Sequence, residues 1–506
     1  MDKQTHTGTG NGELKRQLSP TYVWAIAFGC IIGWGSFINP GKKFLPNSGV
    51  AGTAIAMLLG GLVMVIIAFM YAYMVPKYPV AGGEFAFTKN CFGKQAAFFC
   101  GWFLVVAYLT NVPMNSTAIG LIVDGLDGPG QRILSFGMSP LYTIAGMDIY
   151  LGEMLFAMAI LILFGYLNII GVHKAGFIQT ILTVLLVSSV VVLFVSALVS
   201  SKAKGVNLAP VWGFDYDKAL AAKIAKEGGD LAQVAVTPHE GPSGIMTAIL
   251  ATFAITPWAY VGFASIPQEA EEFNFSFKKV SFIMVISIAF GCFVYTSNNT
   301  IAAAAVENWT EQVMAGEWVV LVAAENLLGV FGKILVGVGV SCAVLSGIMG
   351  FYLASSRLML SMGREGYLPK WFGKVDPKHG TPKNAMLFCI AVSLLGPILG
   401  REALGWFVDM SSIGASIGYM FTSLCTIVTA KRCGDATKLI KVMAWTSLAF
   451  SIIFMGLQLI PIPGLTGVHF ELPSYIMFGA WIALGVVFYF KQRRFLTGKE
   501  EISVNN

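Results

Sequence analysis

The sequence predicts an all-α membrane protein of about twelve transmembrane helices. Three observations carry this. Of 506 residues, 56% are hydrophobic and only 12% are charged, too little polar surface for a soluble globule. Uncharged runs close to the ~20 residues that a helix needs to cross a bilayer recur along the chain. Alternating segments of ~10 residues, the mark of a membrane β-barrel, are not visible.

In order, the runs are 17–41, 44–76, 95–123, 154–172, 175–201, 241–268, 280–306, 334–356, 384–400, 410–430, 442–470 and 472–490. The run 384–400 is the shortest, and polar Asn384 and Arg401 stand at its ends. Lys and Arg in short loops orient the helices, because cytoplasmic loops carry the excess of positive charge. Lys15 and Arg16 precede the first helix, and Lys77, Lys89 and Lys94 follow the second. Lys174 follows the fourth helix, Lys278 and Lys279 the sixth, and six basic residues from Arg357 to Lys383 the eighth. Lys431 and Arg432 follow the tenth helix, and Arg493 and Arg494 the last. All fall on one side, so both termini are expected in the cytoplasm of a multi-pass cell-membrane protein.

This bias accounts for the net charge of +6, with no nucleic-acid partner needed. The first sixteen residues are polar, so no cleavable signal peptide is expected. The reading divides the chain into a cytoplasmic tail (1–19), a core of ten helices (20–430), a last helix pair (431–491) and a second cytoplasmic tail (492–506). The segment 202–240 reads as an external cover, with a short amphipathic helix around 215–227. The eight cysteines show no metal spacing and fall mostly in apolar runs, as buried packing residues do.

Two helices are interrupted. "GCIIGWGSFINPG" (Gly29–Gly41) places four glycines and a proline in thirteen residues of the first apolar run. "TFAITPWAYVGFASIPQEAEEF" (Thr252–Phe273) places Pro257, Gly262 and Pro267 in the sixth. Five helices per unit make two such units inverted relative to each other. Broken helices at matching positions of inverted halves point to a transporter binding site. Unwound backbone at membrane depth survives only where it faces protein or a polar cavity. Its N–H groups suit a carboxylate, and its carbonyls suit an ammonium or a metal ion. No GxxxxGK[ST] loop occurs, so ATP-driven pumping has no support. No nucleophile–base constellation marks an enzyme.

Five segments in order resemble the amino acid–polyamine–organocation (APC) superfamily, in the manner of amino acid permeases. They are "IIGWGSF" (Ile31–Phe37), "YPVAGGEFAFTKNCFG" (Tyr78–Gly93), "WAYVGFASIPQEAEEF" (Trp258–Phe273), Ser355–Ala385 with "GREGYLP", and "FVDMSSIGASIGY" (Phe407–Tyr419). The resemblance covers roughly 15 to 495 and implies a LeuT-like fold. Helices 1–5 and 6–10 would form a 5+5 inverted repeat with broken helices 1 and 6, and two peripheral helices would follow. It implies that a substrate carboxylate meets the N–H groups of Gly33, Trp34 and Gly35. An ammonium would meet carbonyls near Ile31 and around Thr256, Ala259 and Tyr260. Trp258 matches the gating aromatic, and Gly262 is a point of flexure or unwinding.

Three departures from the family pattern stand out. Trp34 replaces a usually small residue and either fills the pocket or turns away to pack; inward, it offers cation–π attraction to an ammonium. Ser36 replaces an apolar residue and either bonds substrate or caps the second half-helix. Leu186 stands where some members carry a titrating lysine on the fifth helix. No cofactor is expected beyond a coupling ion, Na+ or H+. A sodium site would draw on carbonyls near Gly29 and Ile32 with hydroxyls of Ser341 and Ser346, although small residues also serve helix packing. Exchange without ion coupling is the other option.

Among polar residues within the runs, Asn111 and Asn115 share a helix face and either line the pocket or bond between helices. Glu269, Glu271 and Glu272 end the sixth helix. They either pair with Lys278, Lys279 or Arg357 as a cytoplasmic gate or form a solvated end. Asp409 reads as structural. The function expected is a secondary transporter moving a small amino acid by alternating access. A transporter of small amines, ethanolamine- or polyamine-like, is the alternative. A non-transporting nutrient sensor fits the short tails less well.

Overall fold

The computed structural model describes residues 14–127, 133–144, 147–216, 218–220, 236–401, 403–462 and 468–497. The outer parts of both expected tails, and residues 221–235 of the expected cover with most of its amphipathic helix, lie outside them.

The first helix, α1 (Pro20–Ile31), starts where Ser19 Oγ accepts the Tyr22 N–H at 3.3 Å and Pro20 occupies the first turn, a favourable start because proline lacks the N–H that would be orphaned there. It ends at Ile32, whose φ of −96° and ψ of 78° leave the helical region. The chain resumes as α2 (Gly35–Asn39), a π-helical turn at Pro40–Phe44, and the long α3 (Leu45–Met74). Then follow α4 (Gly83–Phe92), α5 (Lys94–Leu109), α6 (Asn111–Asp127), α7 (Leu151–Ile169) and α8 (Val172–Val199). The sixth apolar run is in three pieces: α9 (Gly241–Phe253), α10 (Thr256–Ala259) and a 3-10 segment Val261–Glu272 that contains Pro267. After it come α11 (Lys278–Ala304), α12 (Trp309–Ala315), α13 (Val319–Leu328), α14 (Val330–Arg364), α15 (Lys383–Ser393), α16 (Ala403–Cys433), α17 (Lys438–Leu459) and α18 (Leu472–Lys491).

Among the described residues, ten helical spans are long and apolar enough to cross a membrane. The difference from twelve runs has two sources. The first two runs join through the π turn into one span, Pro20–Met74, and the ninth is a shorter apolar helix, Lys383–Leu399. The all-helical expectation also missed a hairpin of Tyr142–Ile144 with Met147–Ile149 between α6 and α7, paired Tyr142 to Ile149.

The core forms where α3 packs on α9 and α11, where α14 packs on α1, α6 and α8, and where α16 packs on α5 and α17. Small residues let these backbones approach: a Cβ added at Gly52 would stand 3.2 Å from that of Ala248, and one at Gly60 2.5 Å from Thr256 Cγ2. The outward sides of α8, α17 and α18 expose Val, Leu and Ile, among them Val191, Val195, Ile452 and Leu484. That surface suits lipid. Part of the expected cover packs on the start of α3, where Ala51 N–H donates to Val211 O at 2.9 Å and Phe214 N–H to Pro46 O at 2.7 Å.

Candidate functional site

The two interrupted helices meet close to their breaks. The α1 ladder closes with Ile32 N–H to Phe28 O at 2.9 Å, and the next turn begins with Ser36 N–H to Gly33 O at 3.3 Å. The N–H groups of Gly33, Trp34 and Gly35 fall between these two bonds. Opposite, α10 is a single turn opened by Thr256–Pro257. The two segments cross at Gly262, where a Cβ would stand 2.4 Å from Ile31 N and 2.7 Å from Ala27 O. Only glycine allows that approach.

A narrow pocket lies beside this crossing. Its walls are Cys30, Ile31, Gly33 and Trp34 from the first break, Asn111, Met114 and Asn115 from α6, and Trp258, Tyr295 and Phe351. Trp34 is turned inward, its ring 6.0 Å from that of Trp258 at an interplanar angle of 52°. Trp258 Nε1 donates to Asn111 Oδ1 at 3.2 Å. The Asn111 amide donates in turn to Ala107 O and Ser411 Oγ, each at 2.7 Å. Asn111 therefore both lines the pocket and ties helices together. Asn115 donates to Asn111 O at 2.7 Å, whereas its Oδ1 and Trp34 Nε1 are buried without a hydrogen-bond partner. Among the described residues, no charged side chain lines this pocket.

Of the residues expected here, Ile31, Gly33, Trp34, Asn111, Asn115 and Trp258 are brought together. Gly35 stands behind them, because a Cβ there would lie 2.4 Å from Trp258 Cη2. Its lack of a side chain makes room for the indole, not directly for a ligand. Ser36 does not cap the second half-helix. Its hydroxyl donates to Gly33 O at 3.1 Å, and Trp34 holds the cap position with no side-chain bond. Thr256 is turned back to the end of α9, donating to Phe253 O at 2.8 Å. Tyr260 is turned towards α3, donating to Met57 O at 3.0 Å. Ala259 is buried outside the pocket wall, and Gly262 serves the crossing.

Sequence reasoning missed Tyr295, whose hydroxyl donates to Ile31 O at 3.1 Å and so already uses one lone pair of the expected ammonium acceptor. The polar cluster "YTSNN" inside the seventh apolar run was the available signal. Its Asn298 donates to Ser36 O at 3.1 Å.

Of the sodium candidates Gly29, Ile32, Ser341 and Ser346, Gly29 and Ser346 have a polar neighbour on α8. Gly29 faces Ser346, with room for no Cβ between them. Ser346 Oγ accepts from Gln179 Nε2 at 2.5 Å, and the same amide donates to Ala25 O at 3.0 Å. Thr183 Oγ1 adds a bond to Ala25 O at 3.1 Å. An uncharged amide of α8 thus stands where α1 and α14 approach, seven residues before buried Leu186. Ser341 is half-buried, five residues or about 7.5 Å of helix before Ser346. Ile32 completes the α1 ladder through its N–H.

One end of the molecule, the basic face, is stitched shut. Leu18 N–H donates to Glu272 O at 3.0 Å and Asn274 N–H to Leu18 O at 3.1 Å. Arg357 holds Glu272 through two bonds, at 2.7 and 3.2 Å, and both side chains are fully buried. Arg364 holds Glu271 at 2.7 Å, and Leu14 N–H reaches the same carboxylate at 2.8 Å. The expected pairing with Arg357 is present, for Glu272; Glu271 pairs with Arg364 rather than with Lys278 or Lys279. Beside this, Glu84 of α4 accepts from Tyr71 at 2.6 Å, Tyr108 at 2.9 Å and Gln268 at 2.5 Å. Burial pushes the Glu84 carboxyl up to about 7, and these donors pull against that shift. Asp409 is bonded to Ser474 at 2.6 Å, a structural contact between α16 and α18.

Known proteins resemble this chain along most of its length. A family model described as amino acid permease matches residues 18–487. The large neutral amino acids transporter small subunit 2 of Homo sapiens is 27% identical over 78% of this chain and 67% of its own. The Asc-type amino acid transporter 1 of Homo sapiens is 26% identical over 76% of this chain and 66% of its own. The branched-chain amino acid permease BcaP of Bacillus subtilis is 24% identical over 96% of this chain and 95% of its own.

Proposed function

The chain belongs to the amino acid permease family of the APC superfamily, a multi-pass membrane protein, and from that premise we propose that it moves a small neutral amino acid across the cell membrane by alternating access. The observation that carries this is the pocket at the crossing of the two breaks. Unbonded N–H groups at Gly33–Gly35 suit a carboxylate. The Asn115 Oδ1 without a partner and the faces of Trp34 and Trp258 suit an ammonium. The absence of a charged lining residue favours a neutral side chain, and the two indoles favour a small one. The three relatives described above are named for amino acids.

In this reading the basic face is cytoplasmic, as are both termini, and the Glu272–Arg357 pair closes the inward path. The helices to Cys433 form a LeuT-like 5+5 repeat, and α17 and α18 are peripheral. The first and sixth helices rock about Gly33, Gly35, Pro257 and Gly262. The Gln179 amide, bonded to Ser346 and Ala25 beside the expected sodium position, favours transport without sodium there.

The test is counterflow in reconstituted vesicles with labelled alanine, serine and leucine and with ethanolamine, in sodium and in potassium. The reading expects uptake of an amino acid, equal in both salts. Uptake of ethanolamine alone would replace it with the amine reading, which the paired indoles favour.

A further inference from the structure

The carboxylates around the basic end of the 3-10 segment are tied down, with one exception. Glu271 is held by Arg364, Glu272 by Arg357, and Glu84 by Tyr71, Tyr108 and Gln268. Glu269 is fully buried, and neither of its oxygens accepts a hydrogen bond. An ionised carboxylate in such a place loses its hydration with nothing in return, so this arrangement fits Glu269 only with its proton on.

Its position is also particular. A 3-10 helix has three residues per turn, so side chains three apart eclipse. Glu269 therefore stands one turn above Glu272 on the same face, and both act on Arg357. The segment packs on α1, whose Cys30 lines the central pocket. The other elements packed on this segment include α3, α4 and α11. From α4 comes Glu84, bonded to the adjacent Gln268, and from α3 comes Tyr71, bonded to Glu84. The charges acting on Glu269 are Arg357 and Glu272.

We propose that Glu269 is the binding site of an exchangeable proton that controls the basic-face lock. With the proton bound, Arg357 belongs to Glu272 alone and the face is shut. When the O–H bond breaks and the proton passes to water on the basic side, the new carboxylate competes for Arg357. The Glu272 pair then loosens and the end of the 3-10 segment is freed. The transport part of this rests on the permease reading above: substrate movement and proton movement would share this one carboxyl.

Two measurements separate the two claims. The first is the infrared signature of protonated carboxyls in the purified protein at neutral pH, wild type against Glu269→Gln, with folding of the variant checked by thermal unfolding. The expected result is loss of one protonated-carboxyl band in the variant. An unchanged band overturns the proposal, whether or not any substrate is carried.

The second uses vesicles with an internal pH dye. Wild type is expected to move protons with substrate, and Glu269→Gln, fixed in the proton-bound form with the basic face shut, to lose both counterflow and proton movement. A variant that keeps wild-type proton movement overturns the proposal. If no tested substrate enters wild-type vesicles, the permease reading fails and the infrared result alone decides Glu269. If the Gln variant does not fold, Glu269→Asp keeps a carboxyl on a shorter arm, and its pH midpoint is expected to move. An unmoved midpoint overturns the proposal.

Discussion

Gly262 of the sixth interrupted helix lies against the backbone of Ile31 in the first: a Cβ there would stand 2.4 Å from the Ile31 nitrogen and 2.6 Å from the carbonyl carbon of Cys30. Backbone atoms of a packed crossing cannot swing aside as a side-chain tip can. Gly262→Ala is therefore expected to cost about 1–3 kcal/mol, the range for overpacking. Gly456→Ala, where an added Cβ meets nothing within 4 Å, is expected to lose no stability. Thermal unfolding of the two variants side by side checks this.

Gly35 and Trp258 form a second close contact, at 2.4 Å from an added Cβ to the ring edge. Gly35→Ala is expected to push the indole into the pocket and weaken ligand binding while the fold persists. Trp258→Phe in the same chain restores room, so the double variant binds more tightly than the sum of the single effects implies. Dissociation constants for the four proteins decide it; additive losses would contradict the contact.

The two ion pairs at the basic face differ in burial, and that decides their worth. Arg357→Ala strands the Glu272 carboxylate in a fully buried site, expected to cost about 3–5 kcal/mol. Arg364→Ala breaks a partly exposed pair, worth roughly 0–1 kcal/mol. Comparing the melting temperatures of the two variants tests this, and similar losses would show that burial is not what separates them.

Gln179 makes the sodium question experimental. Wild-type stability is expected to be the same in sodium and in potassium. Gln179→Ala leaves Ser346 Oγ without its donor and is expected to lose about 1–3 kcal/mol, the cost of a buried polar group left unsatisfied. Stabilisation of the wild type by sodium would contradict the assignment.

Much of this was legible in the sequence, for physical reasons. Glycine and proline mark helix breaks because they act on the backbone itself, so the interruptions at Ile32–Trp34 and Ala254–Ile255 followed from composition. Charge asymmetry marked the basic face, where the Arg357 pair formed. The side-chain directions were not legible. Whether Trp34 turned inward depended on Gly35 and Trp258, which lie 223 residues apart in number yet in contact. Tyr260 and Thr256 belong to the sixth break by position, but their hydroxyls found backbone carbonyls on α3 and at the end of α9. Gln179 was hidden because a single glutamine in a run of Leu and Val carries no pattern; only the approach of α1 and α14 gives it a role. Glu269 looked like one member of an acidic cluster until its neighbours' partners were known.

The most direct measurement is thermal stabilisation of the purified protein by matched pairs, alanine against ethylamine and serine against ethanolamine. A ligand at a hundred times its dissociation constant adds about 2.7 kcal/mol when it binds only the folded form. The account expects the zwitterion of a pair to stabilise and its amine to do nothing, because the backbone at Gly33–Gly35 receives the carboxylate. Equal stabilisation by the amine would contradict it.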